Sequence, residues 1–303
     1  MDSIDRGIAL DLSRDCRTSL QKLSLKYNIS SNAIKKRIDK LLEIGVIEKF
    51  LVRLSRAMAD TEMLFAIVYT DKSVDDDTFA ERVFEHPQVA SVHYDSFGSC
   101  IVHAEYSGAK ELGELGVFLR GLESVTDVEL HTLPIARGSK VELKNLQMRV
   151  LVPLLDNPRM SVTDIAQATG LTARRVRRTI QELSDGGGVE FTVALTFPAA
   201  DTTYLAFRMT WDSKIISPEQ IDSIIKKQFP NDYYRSVYSA IEPIIWCDFI
   251  VGHARDAETI TAKLRKIPSA TVENTIIVYP PKKRRNIREL KLRKMLSDAG
   301  YLH

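Results

Sequence analysis

Two stretches of the chain place basic and amide side chains on the outer face of a predicted helix. On helical wheels centred on Ile34 and on Val176, apolar residues fall on one side and hydrogen-bond donors on the other. Arginine can bridge O6 and N7 of guanine, asparagine or glutamine can bridge adenine, and lysine or arginine can neutralise phosphates. The pattern therefore favours contact with double-stranded DNA in the major groove. The candidate DNA-contacting residues are Ser31, Asn32, Lys35, Lys36, Lys40, Thr172, Arg174, Arg175, Arg177, Arg178 and Gln181.

The two faces differ in their acidic residues. The first also carries Asp39 and Glu43, whereas the second has no facing acid before Glu182 at its edge. An exposed basic face can also serve only to keep a helix solvated. Because the basic face recurs in both stretches, each time behind a tight turn, we favour DNA contact.

Short helices and tight bends must position these faces. The apolar spacing predicts three helices in each stretch, the third at 31–44 and at 173–185. Ser30 is predicted to cap the first of these, and Asn28 and Gly170 are predicted to form the preceding bends, since both residue types tolerate left-handed backbone. A β-leaning stretch follows each third helix, and a short hairpin there would complete a winged helix-turn-helix. The residues predicted to be buried are Ile34, Ile38 and Leu41 in the first helix and Val176, Ile180 and Leu183 in the second.

The chain repeats itself. When its second half is aligned with its first, Leu23 falls on Ile165 and Ser30 on Thr172. Behind each helical front the pattern predicts β-α-β-β-α-β, a ferredoxin-like sheet with both helices on one face and an open face apolar enough to pack on a partner sheet. The predicted elements run 63–69, 75–85, 89–96, 99–106, 109–122 and 125–133 in the first domain and 203–211, 218–228, 233–240, 246–252, 257–266 and 270–279 in the second.

The predicted fold class is therefore α+β, with two winged helix-turn-helix modules alternating with two ferredoxin-like effector or oligomerisation domains. The predicted divisions are a winged helix at 1–55, a ferredoxin-like domain at 60–137, a second winged helix at 141–198, a second ferredoxin-like domain at 202–280 and a basic tail with a helix at 281–303.

Composition excludes several classes of protein. At 303 residues, with 44% apolar and 27% charged residues, the chain has the makeup of a globular protein, and we expect it to be cytoplasmic because neither a membrane span nor a signal peptide is evident. Cys16, Cys100 and Cys247 stand apart, so we expect buried free thiols, no disulfide and no metal. We also find no phosphate loop, catalytic triad or specific carboxylate pair, and we therefore expect no enzymatic activity and no cofactor.

These residues resemble the Lrp/AsnC (feast/famine) family of prokaryotic transcription regulators, which join a winged helix-turn-helix to a ferredoxin-like domain. The resemblance covers nearly the whole chain, twice, and the second copy is the more divergent. The matching motifs are Asp5 with Ile8, Ala9 and Leu10, then Leu23-Ser24, Ile29-Ser30, Ile34 to Ile38 with Leu41, and Gly45-Val46-Ile47; in the second copy they are Ile165-Ala166, Gly170-Leu171-Thr172 and Arg174 to Leu183.

The resemblance implies partners. Family members with one copy pair their sheets face to face, so this chain is expected to form an internal pseudo-dimer with two unlike reading heads, and homo-oligomers remain open. A small-molecule effector is also implied, at a loop that usually has a glycine and, three residues later, an aspartate. The first copy keeps Gly98, next to Ser99, but has Ile101, and the second keeps Asp248 but has Ile245. These departures argue against an amino-acid effector.

Two other function classes stay open. Siroheme decarboxylases resemble this family in fold and use histidine and arginine to hold carboxylates. His93 and His103 lie on adjacent predicted strands and could share a pocket, with Arg235 in the other copy, although no histidine repeats at matching places. The third class is a pure protein-interaction module.

The end of the chain is strongly basic. From Lys282 onward it holds eight Lys or Arg against two acids, a net charge of +6. A helix is predicted there, with Leu292, Met295, Leu296 and Ala299 on the docking face and the basic run 282–285 left outside. Phosphate or partner contact and simple solvation both fit that run. Trp211 and Trp246 are predicted to pack within sheets.

Overall fold

The computed structural model describes residues 1–197 and 202–302, which form two compact units. The predicted boundary at 198 falls outside these residues. In the described part of the chain, no helix has the length and apolar character needed to cross a bilayer. The sheet unit comprises the described residues of Met1–Gly7, Glu62–Ile135 and Thr196–Arg285, and the head unit those of Ile8–Thr61, Ala136–Leu195 and Asn286–His303.

The elements confirm the α+β class. Helices are α1 (Ser3–Arg14), α2 (Leu20–Tyr27), α3 (Ser31–Glu43), α4 (Arg56–Ala59), α5 (Asp76–Phe84), α6 (Gly108–Gly121), α7 (Asn145–Asp156), α8 (Val162–Thr169), α9 (Ala173–Asp185), α10 (Pro218–Gln228), α11 (Asp256–Leu264) and α12 (Ile287–Asp298). Strands are β1 (Ile47–Leu54), β2 (Glu62–Thr70), β3 (Val89–Tyr94), β4 (Cys100–Tyr106), β5 (Val125–Leu133), β6 (Val189–Leu195), β7 (Thr203–Trp211), β8 (Tyr233–Tyr238), β9 (Ile244–Val251), β10 (Ala270–Ile277) and β11 (Lys283–Arg284).

The bends before α3 and α9 have the predicted backbone. Asn28 has φ 53° and Gly170 has φ 64°, both left-handed. Ile34, Ile38 and Leu41 are buried under α3 as predicted. Under α9, Ile180 is less buried than predicted. That residue is only half-buried, and Thr179 takes the inner position because its hydroxyl can donate to the carbonyl of Arg175, at 2.9 Å.

The predicted hairpin wings were wrong. Each third helix is followed by one strand, and β1 and β6 pair with each other as a two-stranded antiparallel sheet. In the register, Phe50 lies opposite Val193 and Leu51 opposite Thr192. A single strand leaves its backbone donors and acceptors unpaired, and here the other half of the chain supplies the partner that a local turn would have supplied.

In the sheet unit, the strand orders are β11-β3-β4-β2-β5 and β10-β7-β9-β8. Without β11, each is the order of a ferredoxin-like sheet. Helices α5 and α6 cover the first sheet through Phe79, Val83, Leu115 and Leu119, and α10 and α11 cover the second through Ile221, Ile225, Ile260 and Leu264.

The other faces of the two sheets share one apolar cluster, made of Phe65, Ile67, Ile101, Leu133, Ala206, Val237, Ile244, Trp246, Ile276 and Val278. The rings of Phe65 and Trp246 are 4.7 Å apart. Trp211 packs against the core of the second sheet, so both tryptophans are packing residues as predicted. All three cysteines are free and buried, also as predicted.

The basic run before the last helix is not left outside. Lys283 and Arg284 form β11 and pair with β3, Lys282 lies 2.8 Å from Asp77, and Arg285 donates to the carbonyls of Phe84 and His86. The acids of α5 and an open strand edge supply partners that composition alone does not reveal.

The last helix, α12, buries Leu292 and Leu296 as predicted, but Ala299 is exposed. The charged residues Arg288 and Glu289 are buried instead. Arg288 donates to the carbonyl of Leu54 at 2.9 Å and lies 2.9 Å from Glu190. Glu289 lies 2.8 Å from Lys49 on β1, so both charged residues at the start of the helix anchor it to the β1–β6 pair.

Candidate nucleic-acid interface

Helix α3 presents the first candidate face. Ser30 is its N-cap residue, and the Ser30 hydroxyl accepts a hydrogen bond from the amide of Ala33 at 3.1 Å. Asn32, Lys35, Lys36 and Lys40 are exposed. Within residues 1–197 and 202–302, nothing forms an ion pair with these three lysines. Their ammonium groups are therefore available to an anionic partner.

Helix α9 presents the second face. Thr172 begins it, with its hydroxyl accepting from the amide of Arg175 at 3.3 Å. Arg174, Arg175, Arg177 and Arg178 are all exposed. Two residues of the face are engaged on the helix itself: Arg178 lies 2.8 Å from Glu182, and the Gln181 amide donates to Asp185 at 2.7 Å. Such exposed pairs stabilise little, so a phosphate or a base edge can replace either acid.

Two of the predicted contact residues are partly committed to the fold. Thr172 caps α9, and Ser31 is half-buried with its hydroxyl donating to Ser24 at 3.4 Å. The remaining nine predicted residues lie on the exposed faces of α3 and α9. Each face follows a left-handed bend and an N-cap hydrogen bond, as expected for the third helix of a helix-turn-helix.

The predicted effector residues lie in the sheet unit on different elements. Gly98, with φ 80°, and Ser99 belong to the loop between β3 and β4, and Lys72 donates to the Gly98 carbonyl at 2.6 Å. Asp248 lies inside β9, where it accepts from Arg235 at 2.9 Å and from Tyr204 at 2.6 Å. Burial raises the pKa of Asp248, and Arg235 opposes that shift. Its carboxylate is thus already engaged by two neighbours.

A polar cluster lies between the sheets. Ser91 is within hydrogen-bonding distance of His93, at 3.1 Å, and of His103, at 3.3 Å, and the two imidazole rings are 5.6 Å apart. The predicted proximity of the two histidines is therefore confirmed. Arg235 is close enough to act on both electrostatically, and burial lowers the pKa of His93 to about 4 and that of His103 well below its ordinary value. Both imidazoles are neutral at pH 7.

The Ser91–His103 pair and the Arg235–Asp248 pair occupy matching positions. Each is a cross-strand pair that follows an irregularity in the register, one between β3 and β4 and the other between β8 and β9. Sequence reasoning singled out the histidines and Arg235 but missed Ser91 and Tyr204. Serine and tyrosine in strands carry no signal until the register places them beside charged partners.

A family model for winged helix-turn-helix DNA-binding domains matches residues 1–48 and 144–189. An uncharacterised HTH-type transcriptional regulator of Pyrococcus abyssi is 30% identical over 159 residues, which cover 51% of this chain and 90% of that relative. The chain belongs to the Lrp/AsnC family of transcriptional regulators. A regulator of Pyrococcus horikoshii is 30% identical over 86 residues, covering 28% of this chain and 52% of the relative, so the chain spans about half the length of that protein.

Nearly the whole of this chain is similar in fold to a protein of known crystal structure. The crystal structure of the siroheme decarboxylase NirDL matches 99% of this chain and 100% of its own, with a TM-score of 0.51 and 11% identity. At that identity the likeness concerns the fold. The two segments matched by the winged-helix family contain all of α3 and all of α9. Among the described residues, no group of three or more metal-ligating side chains could hold an ion.

Proposed function

We propose that this regulator binds specific sequences in double-stranded DNA by placing α3 and α9 in the major groove. The observation that carries the proposal is the pair of capped helices with exposed basic faces, on which Arg178 alone has a salt bridge among the described residues. The proposal assigns no catalytic reaction to the chain and takes the protein to act in the cytoplasm.

Selection of genomic fragments with the pure protein, followed by binding to the recovered duplex, tests the proposal. Release of counterions from about six phosphates should weaken binding about a thousandfold between about 50 and 200 mM salt. A mutated duplex of equal length should bind at least about a hundredfold more weakly, within the usual range of specificity ratios. Binding that ignores salt and sequence would instead favour a protein-interaction module.

We further propose that the two halves act as an internal pseudo-dimer, with reading heads in 1–55 and 141–198 and paired ferredoxin-like domains in 60–137 and 202–280. Reciprocal contacts support it. The amide of Ser96 donates to Ile277 at 2.9 Å, and the amide of Ala240 donates to Thr132 at 2.9 Å. Exchange of two matching loops in this way is typical of a two-fold interface.

The β1–β6 register supports the same reading. The alignment that places Ser30 on Thr172 also maps Phe50 onto Thr192 and Leu51 onto Val193, so the two central residue pairs exchange. Two heads that differ in sequence, but whose strands pair symmetrically, predict an asymmetric operator. Its half-sites should lie about one helical turn, or about 10 base pairs, apart. A strictly palindromic footprint would contradict this. A mass measurement in solution would show whether whole chains assemble further.

An effector at the ferredoxin-like domains remains part of the proposal, with Gly98, Ser99 and Asp248 as the positions to test. Because neither copy has both the glycine and the aspartate, we do not expect an amino acid. Thermal shift measurements with a metabolite panel would identify a ligand, since binding to the folded state raises the melting temperature.

A second candidate function is siroheme decarboxylation. Two observations favour it: the likeness of fold to NirDL over 99% of this chain and the neighbouring positions of His93, His103 and Arg235. Neutral imidazoles beside an arginine can bind carboxylates and transfer protons. A tetrapyrrole absorbance band in the purified protein, or one that appears with saturable binding on addition of an iron porphyrin with carboxylate side chains, would support this function.

A further inference from the structure

Two arginines at matching positions reach across the head unit toward each other's segment. Arg17 lies between α1 and α2, and Arg159, its counterpart in the second copy, lies between α7 and α8. The Arg17 guanidinium donates to the carbonyls of Pro158, at 2.5 Å, and Met160, at 3.1 Å. The Arg159 guanidinium donates to the carbonyl of Cys16 at 2.5 Å. Each arginine thus binds the corner from which the other projects.

The same arginines stack on the paired strands. The Arg17 guanidinium carbon is 5.9 Å from the centre of the Phe191 ring on β6, and that of Arg159 is 5.3 Å from the centre of the Phe50 ring on β1. Both distances are within the range of cation–π attraction. We call Arg17, Arg159, Phe50 and Phe191 the arginine clasp.

The clasp is costly to build from two like charges. Burial lowers the pKa of both arginines, and the charge of Arg159 lowers the pKa of Arg17 further, while Asp15 acts in the opposite direction on each. An apolar pair would hold two corners together without desolvating charge, but it would not fix them in one register. Directional hydrogen bonds to three backbone carbonyls do fix a register.

The corners differ in their remaining bonds. The amide of Cys16 donates to the Phe191 carbonyl at 3.0 Å, and the matching residue, Pro158, has no amide hydrogen. Thr192 adds a hydroxyl bond to the carbonyl of Ser13 at 2.6 Å. The second corner therefore depends more on its arginine contacts than the first does.

Each corner leads directly into a reading helix. Ser19 caps α2 two residues after Arg17, and Ser161 caps α8 two residues after Arg159. Each of these helices passes through a left-handed bend into α3 or α9. We infer that Arg17 and Arg159 are positioning residues that set the separation and phase of α3 and α9, and so the half-site spacing that the regulator accepts. This inference rests on the proposed reading of DNA by both helices.

A spacing series tests it. The double variant Arg17→Met/Arg159→Met keeps the side-chain stems and removes the guanidiniums. Arg14→Met/Arg149→Met is the matched control, since it removes two exposed charges from α1 and α7. Insertion of about five base pairs rotates one half-site to the opposite side of the duplex, and it should weaken wild-type and control binding at least about thirtyfold.

For the clasp variant, the same insertion should weaken binding less than about fivefold, and affinity for a single half-site should stay within about twofold of wild type. An unchanged spacing profile would overturn the inference. So would an equal loss on every duplex, because that result would mean that the arginines contact phosphate directly.

A distance measurement without DNA separates failure of the clasp from failure of the proposed function. Leu42 on α3 and Ser184 on α9 are exposed and occupy matching positions of the two copies, and the native cysteines are buried, so Leu42→Cys/Ser184→Cys accepts two spin labels. The wild-type and control backgrounds should give one narrow distance distribution, and the clasp variant one about twice as wide. A narrow distribution in the folded clasp variant would overturn the inference even if no duplex binds. If the wild type bound no duplex but the clasp variant still gave the wider distance distribution, only the proposed function would be overturned.

Discussion

The two candidate recognition helices, α3 and α9, carry the same net charge and arrange it differently. Both α3 and α9 have 13 residues, with four Lys or Arg against two acids, which gives +2 each. On α9 the arginines fill the first two turns and the acids follow in the last turn, bonded to Arg178 and Gln181. On α3, Asp39 lies between Lys36 and Lys40. Net charge therefore does not distinguish the two helices, but the position of the acids does.

The largest predicted effect concerns the strand β6, which follows α9, because its Glu190 has a buried partner that the first half of the chain lacks. Glu190 on β6 is held by Arg53 at 2.9 Å and by the buried Arg288, and only the second half of the chain carries the helix that supplies Arg288. The two arginines lower the pKa of Glu190 against the effect of burial. Arg288→Met removes the buried cation that binds both Glu190 and the carbonyl of Leu54, and it leaves Glu190 with Arg53 alone. Loss of two charge-assisted hydrogen bonds should lower the free energy of unfolding by about 3 kcal/mol.

Urea denaturation would measure this loss. Lys294→Met on the same helix is the control and should change the free energy of unfolding by less than about 0.5 kcal/mol, since its ion pair with Asp298 is exposed. A loss below about 1 kcal/mol for Arg288→Met would mean that the buried charge contributes little.

The second prediction compares the exposed basic faces of α3 and α9. Replacing Arg174, Arg177 and Arg178 by Gln should weaken operator binding about a hundredfold, since arginine binds guanine and phosphate with two parallel hydrogen bonds. Replacing Lys35, Lys36 and Lys40 by Gln should weaken it about tenfold. Gel shifts at one salt concentration would compare the two, and equal losses would reject the asymmetry.

The third prediction concerns the pH dependence of stability. The first sheet has neutral histidines, His93 and His103, where the second sheet has the Arg235–Asp248 ion pair. The pKa of His93 is about 4 in the folded protein, below the ordinary value of about 6.5. As pH falls from about 6.5, the unfolded state takes up the proton first, so the protein loses stability on acidification, by about 2 kcal/mol at about pH 5 from this group. Burial raises the pKa of Asp248, which gives a contribution of the opposite sign.

Thermal unfolding of His93→Gln against wild type isolates the histidine, because Asp248 contributes to both curves. The variant should show a flatter fall in stability between about pH 6.5 and pH 5. Parallel curves for the two proteins would contradict this account.

The smallest expected effect concerns the two bends. Gly170→Ala should cost about 1 kcal/mol of stability because a Cβ strains left-handed backbone, whereas Asn28→Gly should change stability by less than about 0.5 kcal/mol. Gly113→Ala is the control. It lies within α6 with nothing near its Cβ position, so it should raise stability by about 0.5 kcal/mol. If Gly170→Ala raised stability as well, the bend would not need its left-handed conformation.

Sequence patterns predicted most of what depends on neighbouring residues. The helix α9, the strand β7 and the helix α10 begin and end where the periodicity places them. Ser30, Asn28 and Gly170 have the predicted cap and turn conformations. Local side-chain and backbone preferences determine these features, and the prediction is stronger because the same pattern occurs in both copies.

Contacts between distant residues were the part that sequence reasoning missed. The hairpin wing was wrong because a β-leaning stretch does not reveal which strand will pair with it. The basic run 282–285 was predicted to stay outside the fold because its partners, Asp77 and the edge of β3, belong to the first half of the chain. Arg17 and Arg159 look like ordinary loop residues in the sequence, because the carbonyls that they bind belong to the other half of the chain.

The pairing of β1 with β6 has a consequence for how the protein behaves on dilution. Both strands belong to one polypeptide, so their association is unimolecular and its equilibrium does not depend on protein concentration. Two separate chains joined by the same strands would come apart as they were diluted. A cell that makes only a few copies of this chain therefore keeps both heads joined in every molecule, and a substitution in one head is not repeated in the other, as it would be in a homodimer.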